Sequence, residues 1–92
     1  MPYQINFSKR YKKREKDFLK KHKNLVDKYE KVLYLLKDNP QHTSLRLHQL
    51  KGKLHPLYSI SIDIQYRMTM EFYIEDERIV PVNIGTHDDV YK

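Results

Sequence analysis

The sequence predicts an α+β fold in the order β-α-α-β-β-β, with two N-terminal helices packed on one face of a small, mostly antiparallel sheet. Two periodicities and one charged stretch carry that expectation. Leu25, Tyr29, Val32, Leu33 and Leu36 recur at helical spacing. After Pro56 the period falls to two, through Tyr58, Ile60, Ile62 and Ile64. Ahead of both lies a stretch from Lys9 to His22, charged nearly all round, with Tyr11, Phe18 and Leu19 as a thin apolar stripe.

The elements follow in order. Tyr3, Ile5 and Phe7 alternate with polar residues and read as a short first strand. Ser8 is a suitable cap for the charged helix. Asn24 is a suitable cap for the second helix, with Asp27 in its first turn, and Asp38-Asn39-Pro40 ends it. Residues 41–55 read as a polar connection with one or two turns. Tyr58, Ile60, Ile62 and Ile64 form one strand face, with Ser59, Ser61 and Asp63 opposite. Tyr66, Met68, Met70, Phe72 and Ile74 form the next, with Arg67, Thr69, Glu71 and Tyr73 opposite. Glu75-Asp76-Glu77 reads as a turn. Val80, Val82 and Ile84 then alternate with Ile79, Pro81 and Asn83, completing a meander. Pro81 lacks a ladder donor and belongs at an edge or a bulge.

The 92 residues suffice for one compact domain, read as spanning 1–92. Their net charge of +6 is unevenly placed. Residues 1–55 hold 15 Lys/Arg against 5 Asp/Glu, whereas residues 56–92 hold 3 against 7. The positive field thus belongs to the first half and suits a polyanionic partner. The absence of cysteine excludes disulfides and thiolate metal sites. Two glycines leave no phosphate loop, and the five histidines match no HExxH pattern. No nucleophile elbow is present. No apolar run reaches the roughly 18 residues of a membrane span, and the N-terminus lacks a signal-peptide core, so a cytoplasmic protein without membrane contact is expected.

Four groups of residues have the right chemistry for a site. The lysines and arginines from Lys9 to Lys23 suit phosphate neutralisation, and equally suit a solvated helix face. His48, Lys51, Lys53 and His55 surround Gly52 in a loop that is able to grip a phosphate, or simply to face water. Arg67 projects from the sheet face opposite the helices, where a guanidinium binds a phosphate with two donors or pairs with Glu71 or Asp63. Histidine is the side-chain type suited to proton transfer near neutrality, and His87 stands just beyond Gly85. It equally suits a structural bond to Asp88 or Asp89. Tyr91 is able to stack on a base or to pack down the terminus.

Taken in order, Leu50-Lys51-Gly52-Lys53-Leu54, Leu57-Tyr58-Ser59-Ile60, Tyr66-Arg67 and Gly85-Thr86-His87-Asp88-Asp89-Val90-Tyr91 resemble the RelE/ParE toxin superfamily. The resemblance covers essentially the whole chain, most specifically residues 50–91. It implies the toxin of a type II toxin–antitoxin system: a cofactor-free, metal-independent endoribonuclease that cleaves mRNA, typically on the ribosome, and is neutralised by a cognate antitoxin. Carried over by position, Arg67 resembles the arginine that holds the scissile phosphate. His87 resembles the C-terminal histidine of YafQ-like members, and His48 falls near a second one. Tyr91 resembles the terminal aromatic that contacts substrate. Lys51 and Lys53, with His55 beside them, resemble a substrate-binding basic surface. Ser59 and Ser61 stand where RelE carries strand lysines, and Thr86-His87 where it carries an arginine. That difference implies a histidine-based mechanism. Two alternatives on the same fold are a ParE-like inhibitor of DNA gyrase and a catalytically weak RNA-binding member.

Overall fold

The computed structural model describes residues 3–91. Its elements are β1 (Gln4–Ile5), α1 (Lys9–Lys21), α2 (Val26–Asp38), β2 (His48–Gln49), β3 (Tyr58–Ser61), β4 (Tyr66–Tyr73), β5 (Arg78–Thr86) and α3 (His87–Val90). The strands form one sheet in the order β1-β5-β4-β3-β2. Only β1 runs parallel to its neighbour; the other three pairings are antiparallel. The α+β class and the two helices on one sheet face are as the sequence predicts. A two-residue edge strand, β2, and the terminal turn of helix, α3, add to the expected order.

Ser8 caps α1, its Oγ accepting from the Tyr11 amide at 3.1 Å. Asn24 does not cap α2. The chain enters that helix through a 3-10 turn, Lys23–Leu25, so the first amides are already turned into a helical ladder and Leu25 occupies the cap position without a side-chain bond. Tyr11 and Phe18 of α1, with Tyr29, Val32 and Leu36 of α2, are buried against Ile60, Met68, Met70 and Ile79 of the sheet.

The strand faces depart from simple alternation in three places. Ile64 is 94% exposed, because β3 ends at Ser61 and residues 62–65 form the turn into β4. Ile74 lies past the end of β4 and is also exposed. The third departure is a bulge in β5. Met70 pairs with Pro81 but Thr69 pairs with Asn83, leaving Val82 as an extra residue. The core-facing residues of β5 are therefore Ile79, Pro81 and Ile84, not Val80, Val82 and Ile84. Pro81 sits beside the bulge, where a missing donor does least harm. The freed carbonyl of Val82 accepts from Arg14 Nη1 of α1 at 2.9 Å.

One polar chain runs through the core. Tyr29 donates to Glu15 Oε2 at 2.5 Å, while the Tyr11 hydroxyl lies 2.7 Å from that of Tyr29 and 3.0 Å from Met68 Sδ. Burial pushes the pKa of both phenols well above the ordinary value. The Glu15 charge pushes Tyr11 the same way, against its bond with Tyr29. At Tyr29 the charge of Tyr11 and the bond to Glu15 add to the effect of burial. In the unfolded chain they ionise near pH 10. Raised folded values give a stabilisation that is complete below about pH 10 and is lost as pH climbs above it. The urea midpoint is expected to fall above about pH 10 and to fall less steeply in Tyr11→Phe/Tyr29→Phe; equal slopes for the two proteins would contradict this.

Candidate active site

Directly opposed residues of a sheet share a face, so the strand pairings identify the site's floor. His48, Ser59, Thr69 and Asn83 form one row across β2, β3, β4 and β5. Ser61, Arg67 and Gly85 form the next. Both rows lie on the face turned away from α1 and α2. The bulge puts Asn83 there, and with it the exit of the chain.

Gly85, the residue before the last of β5, lies beneath α3. A Cβ at this position would lie 2.8 Å from Asp89 Cβ and 2.8 Å from its Oδ2, so only glycine admits the approach. Thr86 and Asp89 then cap each other. Thr86 Oγ1 accepts from the Asp89 amide at 3.2 Å, and Asp89 Oδ2 accepts from the Thr86 amide at 3.1 Å. Asn83 Nδ2 donates to the Asp89 carbonyl at 3.3 Å, tying α3 to the floor. Val90 is buried by this closure, and Ser59 and Thr69 lie buried in the floor.

Tyr91 joins the parts. Its hydroxyl is 2.7 Å from Ser59 Oγ, and its ring meets the His87 ring edge-on, with centroids 4.2 Å apart. His87 itself is exposed. Its Nδ1 lies 3.7 Å from Asp88 Oδ1, a pair too open to water to hold the ring firmly. Arg67 Nη1 donates to Ser61 Oγ at 2.7 Å. The guanidinium forms no ion pair with Glu71 or Asp63. Asp63 Oδ1 accepts from the amides of Gln65 and Tyr66, each at 2.9 Å. The remaining Arg67 donors are open to an anion.

His48 lies at the edge of the same face, in the row of Ser59. Its Nδ1 is 2.9 Å from the Arg46 carbonyl. A carbonyl only accepts, so the neutral ring carries its proton on Nδ1 and offers a lone pair at Nε2. Arg46 itself has φ 53° and ψ 44°. That left-handed backbone costs a non-glycine residue about 1 kcal/mol. It turns the carbonyl towards His48.

His48, Arg67, His87 and Tyr91 are thus brought to one face. Lys51, Lys53 and His55 are not held there. They occupy the exposed loop around Gly52–Leu54, with no side-chain bond or ion pair to the floor. The lysines of α1 flank the other side of the sheet, although Arg14 supports the bulge. Ser59 and Ser61, legible in the sequence only as the absence of lysines, are the direct partners of Tyr91 and Arg67. The Thr86–Asp89 cap was readable as Thr-x-x-Asp at a strand exit. Among the described residues, no group of three or more His, Asp or Glu is placed to hold a metal ion. No helix among them is long and apolar enough to cross a membrane.

Gly85→Ala is expected to destabilise the protein by about 1–3 kcal/mol in urea, because Asp89 must give way. Thr86→Ala, which removes one cap bond, should cost about 1 kcal/mol. A Gly85→Ala variant as stable as wild type would contradict the close packing of α3 on the strand.

No protein-family model matches the sequence, and no curated protein matches it. Solved structures do. YafQ from Escherichia coli strain BL21(DE3) superposes with a TM-score of 0.79 at 17% identity, over 98% of this chain and 99% of that one. YafQ in the E. coli DinJ–YafQ toxin–antitoxin complex superposes with a TM-score of 0.78 at 20% identity, over the full length of both chains. A YoeB/ParE toxin from Agrobacterium tumefaciens gives 0.65 at 16% identity, over 91% of this chain and 98% of that one. The chain therefore has the fold of the RelE/ParE toxins, over their whole length.

Proposed function

We propose that the chain is the toxin of a type II toxin–antitoxin system and acts as a metal-independent endoribonuclease on mRNA, associated with the ribosome. The observation that carries this reading is the gathering of an open guanidinium and two histidines on one sheet face, one histidine holding Nε2 as an acceptor. That is the equipment of RNA cleavage by internal transfer, in which the nucleophile is the substrate's own 2′-hydroxyl. His48 Nε2 takes the 2′-hydroxyl proton. O2′ attacks the adjacent phosphorus, and the 5′-oxygen leaves with a proton from protonated His87. Arg67 holds the non-bridging oxygens as charge grows on them. Tyr91 supports His87 and offers its ring to a base. Lys51, Lys53 and His55 serve flanking phosphates from their loop.

The likeness to YafQ in a toxin–antitoxin complex supports a cognate antitoxin as partner. A ParE-like gyrase inhibitor needs a protein-binding surface but no base–acid pair, so it leaves the His48 geometry unused.

Removing either histidine is expected to lower mRNA cleavage in a translating extract by about 10²–10⁴-fold. Both rings are exposed, so His48→Ala and His87→Ala should keep the wild-type urea midpoint. Cleavage undiminished by one substitution removes that histidine from the mechanism. Intact mRNA with the wild-type protein, and filamentation of cells on induction, would favour the gyrase reading.

A further inference from the structure

A cavity of about 310 Å³ opens at the end of the sheet where β4 begins and β5 ends, between α1 and α3. Arg14, Phe18, Lys21 and His22 line it from α1 and its C-terminal cap, and recur at helical spacing on one face. Tyr66 lines it from the start of β4. Three rings pack together here. The His22 centroid lies 4.6 Å from that of Phe18 and 4.7 Å from that of Tyr66, and Phe18 meets Tyr66 edge-on at 5.2 Å. Phe18 is buried, whereas His22 and Tyr66 are only half-buried, so part of each ring is open. Arg14 Nη1 is committed to the Val82 carbonyl. Lys21 is exposed and forms no ion pair among the described residues, and the same holds for Asp17 on the cavity's rim.

Rings beside a cation are what unpaired nucleotides need: bases stack on aromatic side chains, histidine included, while cations hold the backbone. A site for a bare phosphate would not place a carboxylate at its rim. A base tolerates one, because its exocyclic amino group donates to it. The cavity also adjoins the phosphate clamp. Tyr66 pairs with Thr86 and Arg67 with Gly85. Successive side chains take opposite faces of a sheet, so Tyr66 and Arg67 lie on its two sides, one residue apart, about 3.8 Å along the chain. Thr86, on the cavity wall, directly precedes His87. A strand clamped at Arg67 therefore has a short path over the end of the sheet into the cavity. We propose that this cavity is a nucleotide subsite, taking one unpaired nucleotide of the RNA strand with its base on His22 and Tyr66 and its phosphate on Lys21. The identity of that strand as the one being cleaved rests on the proposed function.

The test is binding of a short single-stranded RNA, 2′-O-methylated so that it is held without being cut, followed by fluorescence anisotropy across a salt series. His22→Ala should weaken binding about tenfold, as the loss of one stacked base. His22→Phe, which keeps a ring in place, should bind as wild type does. Lys21→Ala should lower the slope of log affinity against log salt by about 0.7, as the loss of one phosphate contact. Lys37→Ala removes an exposed cation of α2 outside the cavity and should keep the wild-type slope. Lys21 is exposed, so its variant carries the test even where the loss of the His22 ring lowers the urea midpoint. Wild-type affinity in His22→Ala, or a wild-type slope in Lys21→Ala, overturns the subsite, and mRNA cleavage by the wild-type protein then leaves the ribonuclease reading standing. A wild-type protein that cuts no mRNA overturns that reading and the assignment of the strand with it. Guanosine monophosphate titrated into the same proteins separates the two sources of a nucleotide. Variants that lose the monophosphate but keep the RNA make the cavity a free-nucleotide site, and overturn the proposal.

Discussion

One extra residue in β5 decides which side of the sheet the C-terminal segment occupies. Side chains alternate strictly along a strand, so without Val82 as a bulge Ile79 and Ile84 would face opposite sides. The core needs both. The bulge reconciles them, and its freed carbonyl is taken by Arg14, so the irregularity leaves no orphaned acceptor. Asn83 then falls on the polar face, Gly85 follows at its edge, and α3 folds over Ser59 and Thr69. Tyr91 reaches Ser59 and meets His87 as a consequence, on the face that also carries Arg67 and His48. The helices have their apolar floor on one side, and the polar arrangement is left on the other.

Much of this architecture was legible in the sequence because it rests on local periodicity. The stripe from Leu25 to Leu36, the Ser8 cap and the meander each depend on neighbours within a few positions. What escaped depends on distant partners or on counting by one. Pro81 signalled an irregularity, but only the demand for Ile79 and Ile84 on one face locates it. Ile64 and Ile74 continued an alternating pattern past the ends of their strands, where hydrophobic spacing carries no information about burial. Asn24 had the right chemistry for a cap, but a preceding 3-10 turn made the cap unnecessary.

The site divides in the same way. The residue types at His87, Arg67 and Tyr91 carried a chemical meaning by themselves, and the fold brings them together. The role proposed for His48 did not follow from its type. It follows from an unusual backbone at Arg46, whose carbonyl decides which ring nitrogen bears the proton. The basic loop of Lys51, Lys53 and His55 has the composition of a phosphate contact, but it is closed on itself by backbone bonds and none of these three side chains is bonded to the floor. Ser59 and Ser61 replace charge with hydrogen bonding. They hold Tyr91 and Arg67 in place, so the strand that lacks lysines still contributes to the site's order.

The reaction proposed for this polar face is RNA cleavage by internal transfer from the 2′-hydroxyl. The chemistry of the cut ends tests it most directly. Wild-type protein added to a ribosome-bound mRNA should leave a 2′,3′-cyclic phosphate on the upstream fragment and a 5′-hydroxyl on the downstream one. A single 2′-deoxynucleotide at the cleavage position should abolish that cut. A 3′-hydroxyl paired with a 5′-phosphate, or cleavage that survives the 2′-deoxy substitution, would contradict the assigned roles of His48, His87 and Arg67.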